Sequence, residues 1–258
     1  MTTDNVYSAQ VLKPILAAQG SNVIGMLISA RQKMESVVQK SRDLLRLAGP
    51  RLLTDKIALY LFLRTANRLS HLFPSRSQIK LKYIRPSTLA KAYRVPIIEV
   101  ENINSPDCID RLQRMKPDLI ISVFFDQILR KDVLGVSAEG CINVHPSLLP
   151  HYRGTDPIFW VLAKGEIETG VTIHKMDESI DAGDIIGQKK ISILPEDTWH
   201  SLNWKCSKIC GTNVAELLAI SGNALPTGTS QGKVMGSYYG RPTRLGYADF
   251  RKQKRRLW

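Results

Sequence analysis

Asn143 and His145 stand two residues apart in the run Cys141-Ile-Asn-Val-His145, and Pro146 follows at once. The apolar, β-branched character of 140–145 predicts a strand, and the proline ends it. Side chains two apart on a strand share a face, so the amide and the imidazole are presented together at its carboxyl end. Asp181 lies in Asp177-Glu-Ser-Ile-Asp-Ala-Gly-Asp184, a turn-rich loop between two further predicted strands. An amide, an imidazole and a carboxylate brought together suit acyl transfer. The amide N–H donates to a developing oxyanion. The imidazole moves a proton from an attacking amine. The carboxylate orients the imidazole and stabilises its cation, or holds a proton-carrying water. Asn-x-His taken alone is more often the mark of a turn or cap at a strand end.

The elements that must position these groups follow from hydrophobic patterning. Short helices are predicted at 11–18, 87–94, 107–115, 128–134 and 157–163, and a long one at 198–221. Buried strands are predicted at 22–29, 95–100, 118–125, 140–145, 170–176 and 184–193. Residues 35–75 are dense in Leu and Arg at helical intervals, with Gly49-Pro50 dividing two helices. From Gly222 onward the chain is Gly- and turn-rich and ends in the basic run Arg251-Lys-Gln-Lys-Arg-Arg256. Alternating strands and helices, with central strands apolar on both faces, predict an α/β fold. Its sheet is mostly parallel, with helices on both faces. Ligands of such sheets bind beyond the carboxyl ends of the strands, where Asn143 and His145 are expected. Neither a GxGxxG nor a GxxxxGK[ST] motif occurs, so a dinucleotide or P-loop site has no support.

The chain has 258 residues, 36 Lys/Arg against 23 Asp/Glu, and a net charge of +13. Residues 31–94 hold fifteen of those bases and three of the acids, leaving the rest near neutral. This is a neutral globule with a basic insert, which favours an anionic partner. With 43% hydrophobic residues the composition is not that of a disordered chain. No run reaches the ~18 apolar residues of a membrane span, and no secretory signal opens the chain. Four scattered cysteines suggest neither a disulfide framework nor a structural zinc. The expectation is a reduced, cytoplasmic protein that uses no metal. Cys206 and Cys210, one turn apart, read as buried helix residues, and His174 as a strand residue with a local hydrogen bond.

Three ordered blocks resemble the folate-dependent formyltransferase family. They are Asn143-Val-His-Pro-Ser-Leu-Leu-Pro-His-Tyr-Arg-Gly154, Thr169-Gly-Val-Thr-Ile-His-Lys-Met-Asp177 and Ile180-Asp-Ala-Gly-Asp-Ile-Ile186. The family includes methionyl-tRNA formyltransferases, glycinamide ribonucleotide transformylases and sugar N-formyltransferases. The resemblance is strong over about 95–200 and weak over the N-terminal third. It implies a Rossmann-like sheet with folate lying across the strand ends. It also implies Asn143, His145 and Asp181 as the catalytic set, and N10-formyltetrahydrofolate as the formyl donor to an amine. The folate pocket carried over from the family comprises Phe125, Asp126, Gln127 and Leu129, mainly through backbone groups, with Glu178, Ser179 and Ile180. Phe125 and Ile128 have a plain core role as their alternative. Acceptor contacts fall on Ser147, Tyr152 and Arg153, the last for a phosphate, while the His151 loop shapes the acceptor site.

The chain departs from the family pattern in three ways. The family's first strand should already be finishing where this chain reads Met1-Thr-Thr-Asp-Asn5, so that strand looks missing and an in-frame upstream start is expected. The basic insert of about 35–80 is longer than the family's loop. About sixty residues after Thr198 leave no room for a tRNA-binding β-barrel. The expected organisation is a catalytic domain over 1–200, then a C-terminal helix and irregular basic tail over 201–258. The expected reaction is formylation of a small anionic amine, an amino-sugar nucleotide first. Methionyl-tRNA as acceptor, a formyltetrahydrofolate deformylase and a degenerate non-catalytic binding protein are the alternatives. The insert's amphipathic helices are expected to pack on the body of the enzyme. A membrane surface, RNA and a second subunit in a homodimer are its other candidate partners.

Overall fold

In the computed structural model the described residues are 1–30, 45, 85–221, 224–232 and 235–258. Apart from Leu45, the basic insert expected at 35–80 lies outside them. The helices are α1 (Val6–Gln19), α2 (Pro86–Ala92), α3 (Pro106–Met115), α4 (Lys131–Leu134), α5 (Pro157–Ala163), α6 (Trp199–Ser221) and α7 (Arg244–Lys252). The strands are β1 (Met26–Ser29), β2 (Ile97–Val100), β3 (Ile120–Val123), β4 (Cys141–His145), β5 (Arg153–Gly154), β6 (Glu168–Lys175), β7 (Ile185–Ser192) and β8 (Tyr238–Tyr239).

β1 pairs with β2 and β3 with β4 in parallel, whereas β4–β6 and β6–β7 are antiparallel. The two parallel pairs are joined by the first residues of the chain. Thr2 bridges Ile28 and Val123, parallel to both. Its N–H donates to Leu27 O at 2.9 Å, and its carbonyl accepts from Ser29 at 2.9 Å. The Met1 nitrogen donates to Ile121 O at 2.6 Å, and Val123 N–H donates to Met1 O at 2.9 Å. The order is therefore β2-β1-Thr2-β3-β4-β6-β7. Met1 and Thr2 thus lie in mid-sheet, in the place of the strand that looked missing. On the far side of Met1 the gap between β1 and β3 is a cavity of about 640 Å³, lined by residues such as Leu12, Ile15, Met26, Leu27, Leu119 and Leu225. The Met1 amine is buried there, and burial lowers its pKa to about 5.

Successive residues of β4 serve opposite faces of the sheet, as a strand buried on both sides must. Ile142 and Val144 join a cluster with Val11 and Ile15 of α1, Leu202, Cys206, Cys210 and Val214 of α6, and Phe159 of α5. Cys141 joins Leu112 of α3, Val133 of α4, Ile98, Ile103 and Leu129 on the other face. Cys206 and Cys210 are thus core residues, and burial pushes the Cys206 thiol up to about 12. The stretch read as irregular beyond Gly222 carries β8 and α7. The Thr243 side chain caps α7 by accepting from Gly246 N–H. Phe250 stacks on Phe159 with ring centroids 5.0 Å apart. Few apolar residues mark that helix, so its pattern was faint against the surrounding turns. Among the described residues no helix is long and apolar enough to cross a membrane.

Candidate active site

Asn143 and His145 leave the carboxyl end of β4 on one face. The β6 strand runs antiparallel beside it, with Asn143 opposite His174 and His145 opposite Thr172. Directly opposed side chains on a sheet are within reach of each other. Asn143 Nδ2 lies 3.2 Å from His174 Nε2 and 3.3 Å from Asp181 Oδ1. The loop between β6 and β7 brings Asp181 in with a left-handed backbone, φ 52°. Asp181 Oδ2 is 3.5 Å from His145 Nδ1 and accepts the Gly154 N–H at 2.8 Å. Asp181 Oδ1 is 3.5 Å from His174 Nε2. The three residues picked from sequence therefore meet, and His174 joins them.

The hydrogen-bond partners fix the tautomers. His145 Nε2 faces the Tyr152 carbonyl at 2.8 Å, so that nitrogen carries a proton and Nδ1 is turned to Asp181. His174 Nδ1 faces the Lys175 carbonyl at 2.8 Å, which leaves its Nε2 to accept from Asn143. Burial lowers the pKa of His145, partly opposed by the Asp181 charge and the Tyr152 carbonyl, with His174 lowering it further. Burial alone would raise Asp181, yet His145, His174 and the Gly154 N–H outweigh it and hold the carboxyl well below the usual carboxylate range. The cluster therefore pairs a fixed carboxylate with an imidazole that is neutral at neutral pH. Such a pair accepts a proton and stabilises the resulting cation.

The loop from 146 to 156 closes one side of the cluster. Ser147 is fully buried, and its hydroxyl donates to His151 O at 2.9 Å. That bond shapes the turn, and the side chain faces the interior. Tyr152 gives His145 its carbonyl. Its ring stacks on Tyr239 at 5.3 Å and its hydroxyl donates to Glu166. Burial and Glu166 raise its phenol well above the ordinary value. Arg153 Nη2 donates to Gln231 Oε1 at 2.6 Å, and Arg153 Nε is buried without a partner among the described residues. Gly154 has φ +96°, and a Cβ there would lie 2.3 Å from Tyr239 O. Only glycine lets this backbone turn its N–H onto Asp181 while β5 pairs with β8.

The segment after β3 is divided. The Gln127 side chain is buried, accepting from Ile103 N–H and donating to Ser29 Oγ and Val100 O. Leu129 lies in the core, and Phe125 packs against the same cluster. Asp126 and Ile128 are exposed. Among the described residues the backbone N–H groups of Phe125, Asp126 and Leu129 have no hydrogen-bond partner. Main-chain groups, more than side chains, are what this segment can offer a ring with several donors and acceptors. Glu178, Ser179 and Ile180 are exposed on the loop leading to Asp181. His151 is also exposed.

The contacts of His174, Gly154 N–H and Gln231 with this cluster were not foreseen from the sequence. His174 carried little signal, since 146–167, with a helix of its own, separates the two histidine-bearing strands that pair antiparallel. The other two depend on contacts across 27 and 50 residues.

Residues 75–213 match the model of the formyl transferase family, more than half of the chain, and the chain belongs to that family. Over 120 residues it is 46% identical to the methionyl-tRNA formyltransferase of Syntrophus aciditrophicus, covering 46% of this chain and 38% of that one. Over 130 residues it is 38% identical to the methionyl-tRNA formyltransferase of Geobacter sulfurreducens, covering 50% and 41%. The chain spans about two fifths of the length of these relatives. Its fold is similar to that of the N-formyltransferase of Helicobacter canadensis, solved with folinic acid and dTDP-3-aminofucose. That likeness has a TM-score of 0.60 at 17% identity over 93% of this chain and 69% of the other. A sugar N-formyltransferase from Shewanella gives a TM-score of 0.56 at 18% identity, over 93% and 75%.

Proposed function

We propose that this protein moves the formyl group of N10-formyltetrahydrofolate to a primary amine, with Asn143, His145 and Asp181 as its catalytic residues. The observation that carries the reading is the convergence of the three side chains at the carboxyl end of β4. The amine attacks the formyl carbon, and the carbonyl oxygen becomes an oxyanion. Asn143 Nδ2 meets that oxygen by exchanging its long bond to Asp181 for one to the substrate. Active-site bonds that are long before substrate binds tighten in the reacting complex. The attacking nitrogen gives up a proton to His145 Nδ1, whose cation Asp181 stabilises. The bond to N10 then breaks, N10 takes a proton, and tetrahydrofolate and the formamide leave. The unpaired backbone N–H groups of Phe125, Asp126 and Leu129 suit the pterin, and the exposed residues 178–180 directly precede Asp181 in the chain.

For the acceptor, identity of 46% to a methionyl-tRNA formyltransferase favours the aminoacyl end of methionyl-tRNA. The amino-sugar nucleotide read from the sequence stands second, supported by a likeness to sugar N-formyltransferases that extends over 93% of the chain. Hydrolysis of the donor, with water in place of the amine, uses the same three residues. Incubation with N10-formyltetrahydrofolate and each acceptor, with formate measured in parallel, tests all three. A formylated product identifies the acceptor. Formate without product makes the protein a hydrolase. Bound folate with neither product would remove the catalytic reading.

A further inference from the structure

Gln231 is buried at 6% exposure and lies fifty residues beyond Asp181, in a segment whose Thr229 pairs with Ile185. Its amide uses every group it has. Nε2 donates to the carbonyls of Asp181 at 3.0 Å and Gly183 at 2.8 Å. Oε1 accepts from Arg153 Nη2 at 2.6 Å. Carbonyls on one side and a guanidinium on the other admit one amide orientation. The two loops that Gln231 joins are those that meet at His145. One supplies Asp181, and the other supplies the Tyr152 carbonyl and the Gly154 N–H. The Asp181 loop lies close against β6: a Cβ on Gly183 would sit 2.1 Å from Lys175 O. Asp181 itself holds a left-handed backbone that a non-glycine residue keeps only where its surroundings impose it. The two carbonyl bonds from Gln231 are placed to impose it. The same strap pairs with the acceptor-side loop farther on, where Arg153 N–H donates to Ser237 O and Thr155 N–H to Tyr239 O.

Granted the formyl-transfer reading above, we propose that Gln231 is a positioning residue. It holds the Asp181 backbone so that the carboxylate faces His145, and it fixes Arg153 on the opposite loop in the same act. It touches neither substrate nor the reacting atoms. A misplacement of about 1 Å in such a constellation lowers turnover by roughly 10²-fold.

The test uses the full chain with Gln231→Leu, which removes all three bonds, and Gln231→Glu, which keeps an acceptor for Arg153 and loses both donors. Turnover with N10-formyltetrahydrofolate is read beside the NMR titration of His145, whose facing titratable groups are Asp181 and His174. Both variants are expected to lower kcat by roughly 10- to 100-fold with a smaller change in KM for the donor. In Gln231→Leu the His145 midpoint is expected to fall by about half a unit or more, because the carboxylate that supports its cation is loosened, whereas in Gln231→Glu the added carboxylate opposes that fall. A His145 midpoint unchanged in folded Gln231→Leu protein overturns the proposal, whatever happens to kcat. So does a midpoint that rises, since that reports entry of water instead of a displaced carboxylate. If the unaltered protein transfers no formyl group, the reading of function falls, while the His145 titration still decides the hold of Gln231 on Asp181.

Discussion

The carboxylate of Asp181 lies 3.5 Å from Nδ1 of His145, and the other nitrogen of that ring is tied to the Tyr152 carbonyl. The imidazole is therefore oriented by a carboxylate on one side and a backbone acceptor on the other. Replacing Asp181 with Asn keeps the size and removes the charge. Turnover should drop by about 10²- to 10⁴-fold, the range for losing the partner of a catalytic histidine. Asn143→Ala should lower kcat by about 10²- to 10³-fold, the cost of one oxyanion donor, with folate still bound. Steady-state kinetics and a folate-binding titration check both. Near-normal turnover in either variant removes that residue from the mechanism.

His174 gives its Nδ1 proton to Lys175 O and faces Asn143 with Nε2. That bond, together with the one from Asn143 Nδ2 to Asp181, fixes the Asn143 amide. His174→Leu removes one of the two. A fall in kcat of roughly 10-fold or more, with little change in KM, is the expected outcome. A variant with unaltered kcat would show that Asn143 is oriented by Asp181 alone.

Two buried groups make stability depend on pH. Burial lowers the Met1 amine from 8.0 to about 5, and it lowers His145 below 6.5. In the unfolded chain both take protons at pH values where the folded protein holds neither. Their contribution is therefore complete above pH 8 and is lost as the pH falls toward 5. Acetylating the Met1 nitrogen should remove the amine's part and leave that of His145. Denaturant midpoints at several pH values, with and without acetylation, test this. Identical pH profiles for the two forms would show that the amine is hydrated.

The cavity beyond Met1 predicts the effect of lengthening the chain. Thr2 is aligned with Ile28 and Val123, so added residues would run back between 22–27 and 117–121 at the spacing of one strand. An extension of about five apolar residues should raise Tm by roughly 5 °C over an equally long Gly/Ser extension. Calorimetry of the two chains decides it. Equal melting temperatures would mean that the space does not accept a strand.

Much of the architecture was legible in the sequence because its signals are local. β4 is an apolar run closed by Pro146, and two residues of separation put Asn143 and His145 on one face whatever surrounds them. Helix α5 follows the spacing of its own side chains, with Pro157 at its start. The family blocks identified Asp181 as the third member. Other features exist only once the chain is folded. The pairing of Asn143 with His174 follows from an antiparallel register between β4 and β6. The tautomers of both histidines follow from single carbonyls, Tyr152 O and Lys175 O. Gln231 reaches Asp181 across fifty residues, in a stretch whose composition suggested only turns. Met1 and Thr2 form a mid-sheet stub because two open strand edges flank them, which no periodicity in so short a segment could announce. Side-chain type and spacing decide what chemistry is on offer, while distance, burial and the partner of each polar atom depend on segments remote in sequence. Those were decided by the tertiary structure.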